Sequence, residues 1–344
     1  MKIGMYYNNR DVRVQELPVP EPGLGEILVK VMASGICGSD IMEWYRIKKA
    51  PLVLGHEVAG RVVKIGAGVT KFKEGDRVFS THHVPCGQCR LCQNGSDTAC
   101  ETFHKTNNFS PGGFAQYLKI SGRSIDTGTF VLPDTLTYEQ GSFIEPLGTV
   151  VRGMRTLGIR AGDSVLVLGA GIAGLLNIKL ARALGAGRVM ASDVSPFRLS
   201  AAKNSGAEYA FLAGDDIPSR IKEVNDGRLA DRVIVCTGAL SALSQGLGSV
   251  ERGGTVLLFA VPKPGETLPI DFNPYWRDDI TFKTSYGAAP PDNRQAMELL
   301  RAGNVRVDDL VTHRLSIDDI GEGFSIAARG AESLKVIIKP NSDE

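Results

Sequence analysis

Apolar positions along this chain follow two different rhythms. Up to about residue 150 they come in short runs broken by turn formers. Glu26-Ile-Leu-Val-Lys-Val-Met32 and Gly60-Arg-Val-Val-Lys-Ile65 read as strands, the first punctuated by Pro20, Pro22, Gly23 and Gly25, the second closed by Gly66 to Gly68. Gly112-Gly113-Phe-Ala-Gln-Tyr-Leu-Lys-Ile120 reads as a further strand after a turn. From Arg160 onward, short apolar strands alternate with helices, the sign of a parallel α/β sheet. Asp163-Ser-Val-Leu-Val-Leu168 is a buried strand, Gly174 to Leu184 a helix ending at Gly185, and Arg188-Val-Met-Ala-Ser192 the second strand. Ser195-Pro196 caps the next helix. Arg232-Val-Ile-Val-Cys236 and Gly254-Thr-Val-Leu-Leu-Phe-Ala260 continue the sheet, and Glu332-Ser-Leu-Lys-Val-Ile-Ile338 is again strand-like. This last segment is expected to return to the first domain. The expected division is therefore 1–150, an insertion at 151–285, and 286–344.

Composition narrows the partners. Of 344 residues, 43% are hydrophobic and 22% charged, ordinary for a globular protein with room for two cores. A net charge of +1, from 39 basic and 38 acidic residues, gives no broad footprint for nucleic acid or anionic lipid. The start, Met1-Lys-Ile-Gly-Met-Tyr-Tyr, lacks the apolar stretch of a secretion signal. The longest apolar run, Val165 to Leu176, is glycine-interrupted and too short to span a bilayer. A cytoplasmic chain is expected, with its six cysteines reduced and available to metal.

The insertion carries a dinucleotide fingerprint, Gly169-Ala170-Gly171-Ile172-Ala173-Gly174, between a strand and a helix. Its first glycine permits the tight turn, the second lets backbone approach a pyrophosphate, and the third lets helix and strand pack closely. The pyrophosphate then meets unpaired N–H groups at the helix start. Asp193, 19 residues past Gly174 at the end of the next strand, would accept from the ribose hydroxyls and repel a 2′-phosphate, which favours NAD over NADP. Arg198 tempers this, since a nearby arginine accommodates that phosphate in NADP proteins; the alternative is a solvated helix residue.

Cys86, Cys89, Cys92 and Cys100 lie within 15 residues and form a lobe running from about His82 to Phe103. This spacing suits a closed, structural zinc site. A zinc ribbon for nucleic acid or a redox site are the alternatives, and the neutral charge disfavours the first. A second, more open site is suggested by Cys37, in Gly35-Ile-Cys37-Gly-Ser39-Asp40, and His56, in Gly55-His56-Glu57.

Gly55-His-Glu-Val-Ala-Gly60, followed by Gly66 and Val69, resembles the signature of zinc-containing alcohol dehydrogenases in the medium-chain dehydrogenase/reductase family. The resemblance spans essentially the whole chain and includes the four-cysteine lobe and the Gly-Gly-Phe-Ala-Gln-Tyr strand. It implies a Rossmann-type doubly wound parallel sheet inserted into a mostly-β, GroES-like catalytic domain. It also implies two Zn²⁺ per chain, NAD(H), a small alcohol as substrate, and a homodimer or homotetramer.

By the same resemblance Cys37, His56, Glu57 and Glu145 hold the catalytic zinc. Phe143-Ile-Glu145-Pro-Leu-Gly148 has a carboxylate where the alcohol dehydrogenase Cys₂His site has its second thiolate, as in the polyol and threonine branches. A helix-capping carboxylate is the alternative for Glu145. Ser39 matches the hydroxyl that passes the substrate proton onward, but Met42 stands where the family often has the next relay histidine. Lys335 resembles the basic residue that reaches the pyrophosphate from the returning chain; an exposed strand lysine is the alternative. His82, His83, His104 and His313 are further histidines without an assigned role, and Tyr45, Phe103 and Thr149 are candidate pocket residues. The implied reaction is reversible oxidation of a polyol or sugar alcohol, with threonine or an aliphatic secondary alcohol as alternatives. A non-catalytic NAD- and zinc-binding protein is the remote alternative.

Overall fold

Residues 1–342 are described in the computed structural model of the chain. It divides into two compact units, Met1–Gly148 with Ala288–Glu344, and Thr149–Gly287.

The first unit is built on one large sheet. Its strands run in the order Val311–Ser316, Lys335–Lys339, Ile27–Gly35, Glu57–Ile65, Arg77–Ser80 and Thr129–Val131, with Tyr117–Ile120 also pairing to Ile27–Gly35. Ile27–Gly35 is buried almost throughout, so apolar and small residues fill both of its faces, with Lys30 the one partly exposed position. Ile27, Val29, Val31, Val58, Val62, Leu118 and Ile120 form the adjoining core, each side chain contributing about 1.5–3 kcal/mol by leaving water.

Two registers around this central strand place the functional residues. Antiparallel pairing sets Gly35 opposite Glu57 on one side and opposite Ile337 on the other. Glu57 and Lys335, from distant parts of the sequence, therefore meet at the end of one strand. The pairing of Lys335–Lys339 with Ile27–Gly35 also makes the C-terminal segment part of the first sheet. A smaller sheet of Asp11–Glu16, Lys2–Asn8 and Leu52–Val53, and the short strand Phe109–Ser110 paired with Tyr117–Ile120, complete the strands of this unit.

The second unit holds a six-stranded sheet in the order Tyr209–Leu212, Val189–Asp193, Val165–Leu168, Ala230–Val235, Val250–Leu258, Thr281–Thr284. All its pairings are parallel, and the chain order reverses beside Val165–Leu168, the doubly wound arrangement of dinucleotide folds. Val165–Leu168 is fully buried, as a central parallel strand must be. The helix expected from Gly174 begins earlier, at Ile172, because Gly171 is its cap residue. Ser195 caps Pro196–Asn204 by accepting from the Arg198 N–H, with Pro196 in the first turn. Thr281–Thr284 escapes the pattern reading because this edge strand is mostly exposed and has no apolar run.

Candidate active site and metal centres

In the lobe, short turns gather the thiols. The Cys86 N–H points at Cys100 Sγ (3.3 Å) and the Cys89 N–H at Cys86 Sγ (3.3 Å). Cys89 Sγ lies 3.6 Å and Cys86 Sγ 3.9 Å from Cys92 Sγ. A tetrahedron with sulfur–zinc bonds of about 2.3 Å has an edge of about 3.8 Å, so these separations fit a four-thiolate zinc and not a disulfide. Burial raises the Cys100 thiol, but N–H donors around its sulfur outweigh this and bring it to about 6. Burial and neighbouring thiols push Cys92 up to about 12, so the set becomes fully anionic only with a cation in its midst.

The second cluster is assembled from separate segments. Cys37 follows the end of Ile27–Gly35, Glu57 opens the paired strand, and His56 lies just ahead of it. Their donor atoms lie within 4.8 Å of one another. A side chain at Gly35 would collide with the Glu57 carboxylate at 2.1 Å and Lys335 Cε at 2.6 Å, so glycine leaves the room this arrangement needs. Glu145, in the first turn of Ile144–Leu157, is outside that close set, yet it feels the charges of His56 and Glu57.

The surroundings of this cluster set its charge. Asp40 is fully buried, accepts from the Cys37 N–H at 3.1 Å, and faces His56 Nδ1 at 3.4 Å. Burial pushes the Asp40 carboxyl up, but His56, Arg46 and the Cys37 N–H together hold it below its ordinary range. For His56, burial disfavours the imidazolium, while Asp40 and Cys37 more than offset this and raise its pKa well above the usual value. A metal on this imidazole therefore displaces a proton. Glu145 is raised to about 7, first by burial, with Glu57 and Asp40 adding to it against His56 and Lys335.

Lys335 has no exposed surface and lies over the Phe143 ring, 5.8 Å from its centroid. The resemblance implied a pyrophosphate contact; the structure gives its ammonium two other partners, Glu57 Oε2 and the Ile36 carbonyl. The exposed-strand alternative is excluded by the same burial. The other Glu57 oxygen, Oε1, is buried without a hydrogen-bond partner. An orphaned carboxylate oxygen beside a thiol and an imidazole is the donor chemistry that zinc accepts.

Ser39 Oγ lies 3.4 Å from Cys37 Sγ, at the edge of the cluster. Arg46, which no sequence motif marks, donates to Ser39 and to Asp40. His82 and His83 pack at a tilt, 3.7 Å between centroids, and His82 is 5.1 Å from the His56 ring. Burial first, then His56, His83 and Arg46, hold His82 well below the ordinary histidine pKa, so it is neutral. Phe103 is buried against His83, and His313 bonds Thr312 on its own strand. Asp40, Arg46 and the Lys335–Glu57 pair had no motif to announce them; Asp40, in Cys37-Gly-Ser-Asp40, was adjacent to one.

In the second unit, Gly171 has open space where a side chain would stand, while a Cβ at Gly174 would meet the Gly169 carbonyl at 1.9 Å. The loop thus leaves its second glycine open to a ligand and uses the third for close packing. Asp193 is nearly buried; its Oδ2 accepts from the Ala170 N–H at 2.7 Å and its Oδ1 from the Ser195 N–H at 2.9 Å. The carboxylate therefore ties the glycine loop to the end of its strand.

Residues 23–127 match the alcohol dehydrogenase GroES-like domain, and 173–302 match the zinc-binding dehydrogenase family. Sorbitol dehydrogenase of Bacillus subtilis (strain 168) is 33% identical, covering 99% of this chain and 98% of that protein. An alcohol dehydrogenase from Thermus sp. ATN1 superposes with a TM-score of 0.88 at 29% identity, over 98% of this chain and 99% of the other. The 2R,3R-butanediol dehydrogenase of Bacillus subtilis superposes with a TM-score of 0.86 at 28% identity, over 99% of both. With its two zinc-fitting donor sets, its dinucleotide loop and this end-to-end similarity, the chain belongs to the zinc-containing alcohol dehydrogenases of the medium-chain dehydrogenase/reductase family.

Proposed function

We propose that the protein oxidises a polyol with vicinal hydroxyls to a ketone, reversibly and with NAD⁺. The observation that carries this reading is the Cys37–His56–Glu57 set with a carboxylate, Glu145, beside it. A carboxylate in place of a second thiolate would leave a looser ligand set, with room for a second substrate hydroxyl. The named similarity to sorbitol and butanediol dehydrogenases supports the same substrate class.

Cys37, His56 and the Glu57 or Glu145 carboxylate would hold a zinc ion, which when bound would supply Lewis acidity, while NAD⁺ would be the hydride acceptor. Ser39 takes the proton of the substrate hydroxyl. Asp40 fixes the imidazole of His56 from behind, as carboxylates behind ligating histidines do. Lys335 holds one oxygen of Glu57 and leaves the other for the metal. Gly169, Gly171, Ile172, Ala173 and Gly174 receive the pyrophosphate, and Asp193 the adenosine ribose. Repulsion between Asp193 and a 2′-phosphate favours NAD by two or more orders of magnitude, since like charges in a partly dry cleft cost several kcal/mol.

A homodimer or homotetramer belongs to the same reading. The Thr281–Thr284 strand ends its sheet, with Phe272, Trp276 and Phe282 exposed around it, and a second copy pairing edge to edge covers both. Six free thiols suit a cytoplasmic setting, and among the described residues no helix is long and apolar enough to cross a membrane. The test is a panel of sugar alcohols, vicinal diols, threonine and simple secondary alcohols with NAD⁺ and NADP⁺, followed by reduced-cofactor absorbance. Polyols with NAD⁺ are expected to give the highest kcat/KM; a clear preference for threonine would replace the substrate class, and equal use of NADP⁺ would give the ribose site to Arg198.

A further inference from the structure

We infer that Arg46 is the positioning residue of the proton-releasing hydroxyl, aiming Ser39 at the substrate. The inference rests on the dehydrogenase reading above. Arg46 grips Ser39 at two points: its Nε donates to the Ser39 carbonyl and its Nη2 to Ser39 Oγ, both at 3.0 Å. The same Nη2 lies 3.4 Å from Asp40 Oδ1, and the guanidinium sits over the Tyr45 ring at 4.7 Å. The Arg46 side chain is only 14% exposed, so this is a held group and not a solvated one.

A serine hydroxyl is a free rotor unless a neighbour fixes it. An N–H donated onto Ser39 Oγ occupies one lone pair and forces the hydroxyl hydrogen to look elsewhere. Among the described contacts, its other partner is Cys37 Sγ at 3.4 Å, so the hydroxyl is turned toward the ligand cluster. The rigid, planar fork of a guanidinium, with Nε and Nη2 fixed side by side, suits this two-point grip.

A guanidinium remains protonated, so Arg46 cannot receive the substrate proton. Its work is to orient Ser39 and to favour negative charge on that oxygen. Ser39 takes one proton from the alcohol and passes its own to water, so that one proton leaves for each hydride transferred. In a chain with Met42 where the next relay histidine often stands, the hydroxyl is placed by a donor and not by an acceptor.

The test compares Arg46→Met, Arg46→Lys, Ser39→Ala and the double variants, using the polyol that the unaltered enzyme oxidises best. Removing a proton-transfer group costs about 10²–10⁴-fold. Ser39→Ala should fall in that range, and Arg46→Met should lower kcat about 10–100-fold with KM within about two-fold. The solvent deuterium effect on kcat should rise in Arg46→Met as proton transfer becomes limiting, and Arg46→Lys should recover part of the rate. Arg46→Met placed on Ser39→Ala should cost nothing more, because the arginine acts through the serine. Zinc content and NADH affinity, measured on the purified protein, should match the unaltered chain. Additive losses in the double variant, an unchanged kcat, or release of one zinc by Arg46→Met would overturn the inference, the last by showing that the residue acts through Asp40 and the metal. Should Arg46→Met fail to fold, Arg46→Lys with and without Ser39→Ala gives the same comparison. No turnover of any alcohol by the unaltered enzyme would sink the dehydrogenase reading, and this inference with it.

Discussion

The thiols of the lobe come from one stretch, 86–100, and local turns bring their four sulfurs within 4.8 Å of one another. Cys37, His56 and Glu57 come from the ends of two paired strands, and their neighbours Glu145 and Lys335 from still further along the chain. The two centres would hold the same ion in opposite settings. The lobe is four like donors with backbone N–H groups around them, a closed set with no position left for a substrate. The second centre mixes thiol, imidazole and carboxylate and is ringed by buried charge: Asp40 and Glu57 facing Arg46 and Lys335. A rigid brace needs only ligands, whereas a site that must exchange ligands and move a proton needs charged groups to hold each ligand ready.

Variants that strike one centre and spare the other sharpen this contrast. Cys37→Ser should have the largest effect, cutting turnover about 10³-fold, because several kcal/mol of charge stabilisation goes with the metal. The assay is kcat at saturating polyol, and the fold should survive, as judged by thermal melting. Lys335→Met should follow, destabilising by about 3–5 kcal/mol because Glu57 is left as an unpaired buried charge. Chemical denaturation measures it, and adding Glu57→Gln should restore part of the loss. No recovery in the double variant would mean that Lys335 acts through its packing on Phe143.

Cys89→Ser should lower Tm by more than about 5 °C, since each kcal/mol moves a body of this size by about 2–4 °C. Turnover per folded molecule should be nearly unchanged. The smallest effect concerns pH. The folded-state pKa of Glu145, about 7, is above its ordinary 4.5. Between these values the unfolded chain has lost the proton that the folded one keeps, so stability falls as pH rises through the window and levels off above it. In the Cys37→Ser background, adding Glu145→Gln should flatten that slope when denaturation is followed from about pH 5 to pH 8. An equal slope in both proteins would remove Glu145 from the account.

The contrast also explains what could be read from the sequence. The lobe was legible because its ligands are neighbours in sequence, and the parallel sheet because buried strands such as Val165–Leu168 are unbroken apolar runs. The dinucleotide loop was legible through its glycines, though not the use of Asp193 to tie down the Ala170 N–H. The Glu57–Lys335 pair joins residues 278 apart, and only the strand registers around Gly35 reveal it. Arg46 sits in a polar, basic stretch, Arg46-Ile-Lys48-Lys49, that looks like solvated surface until Ser39 is seen against it.

The division of labour between the two centres is tested most directly by counting zinc in purified protein. The account predicts about two zinc ions per unaltered chain, one in Cys37→Ser with its stability kept and turnover gone, and one in Cys89→Ser with turnover kept and stability lowered. A chain that oxidises polyols with a single zinc, and loses that zinc and its turnover together in Cys89→Ser but not in Cys37→Ser, would contradict it.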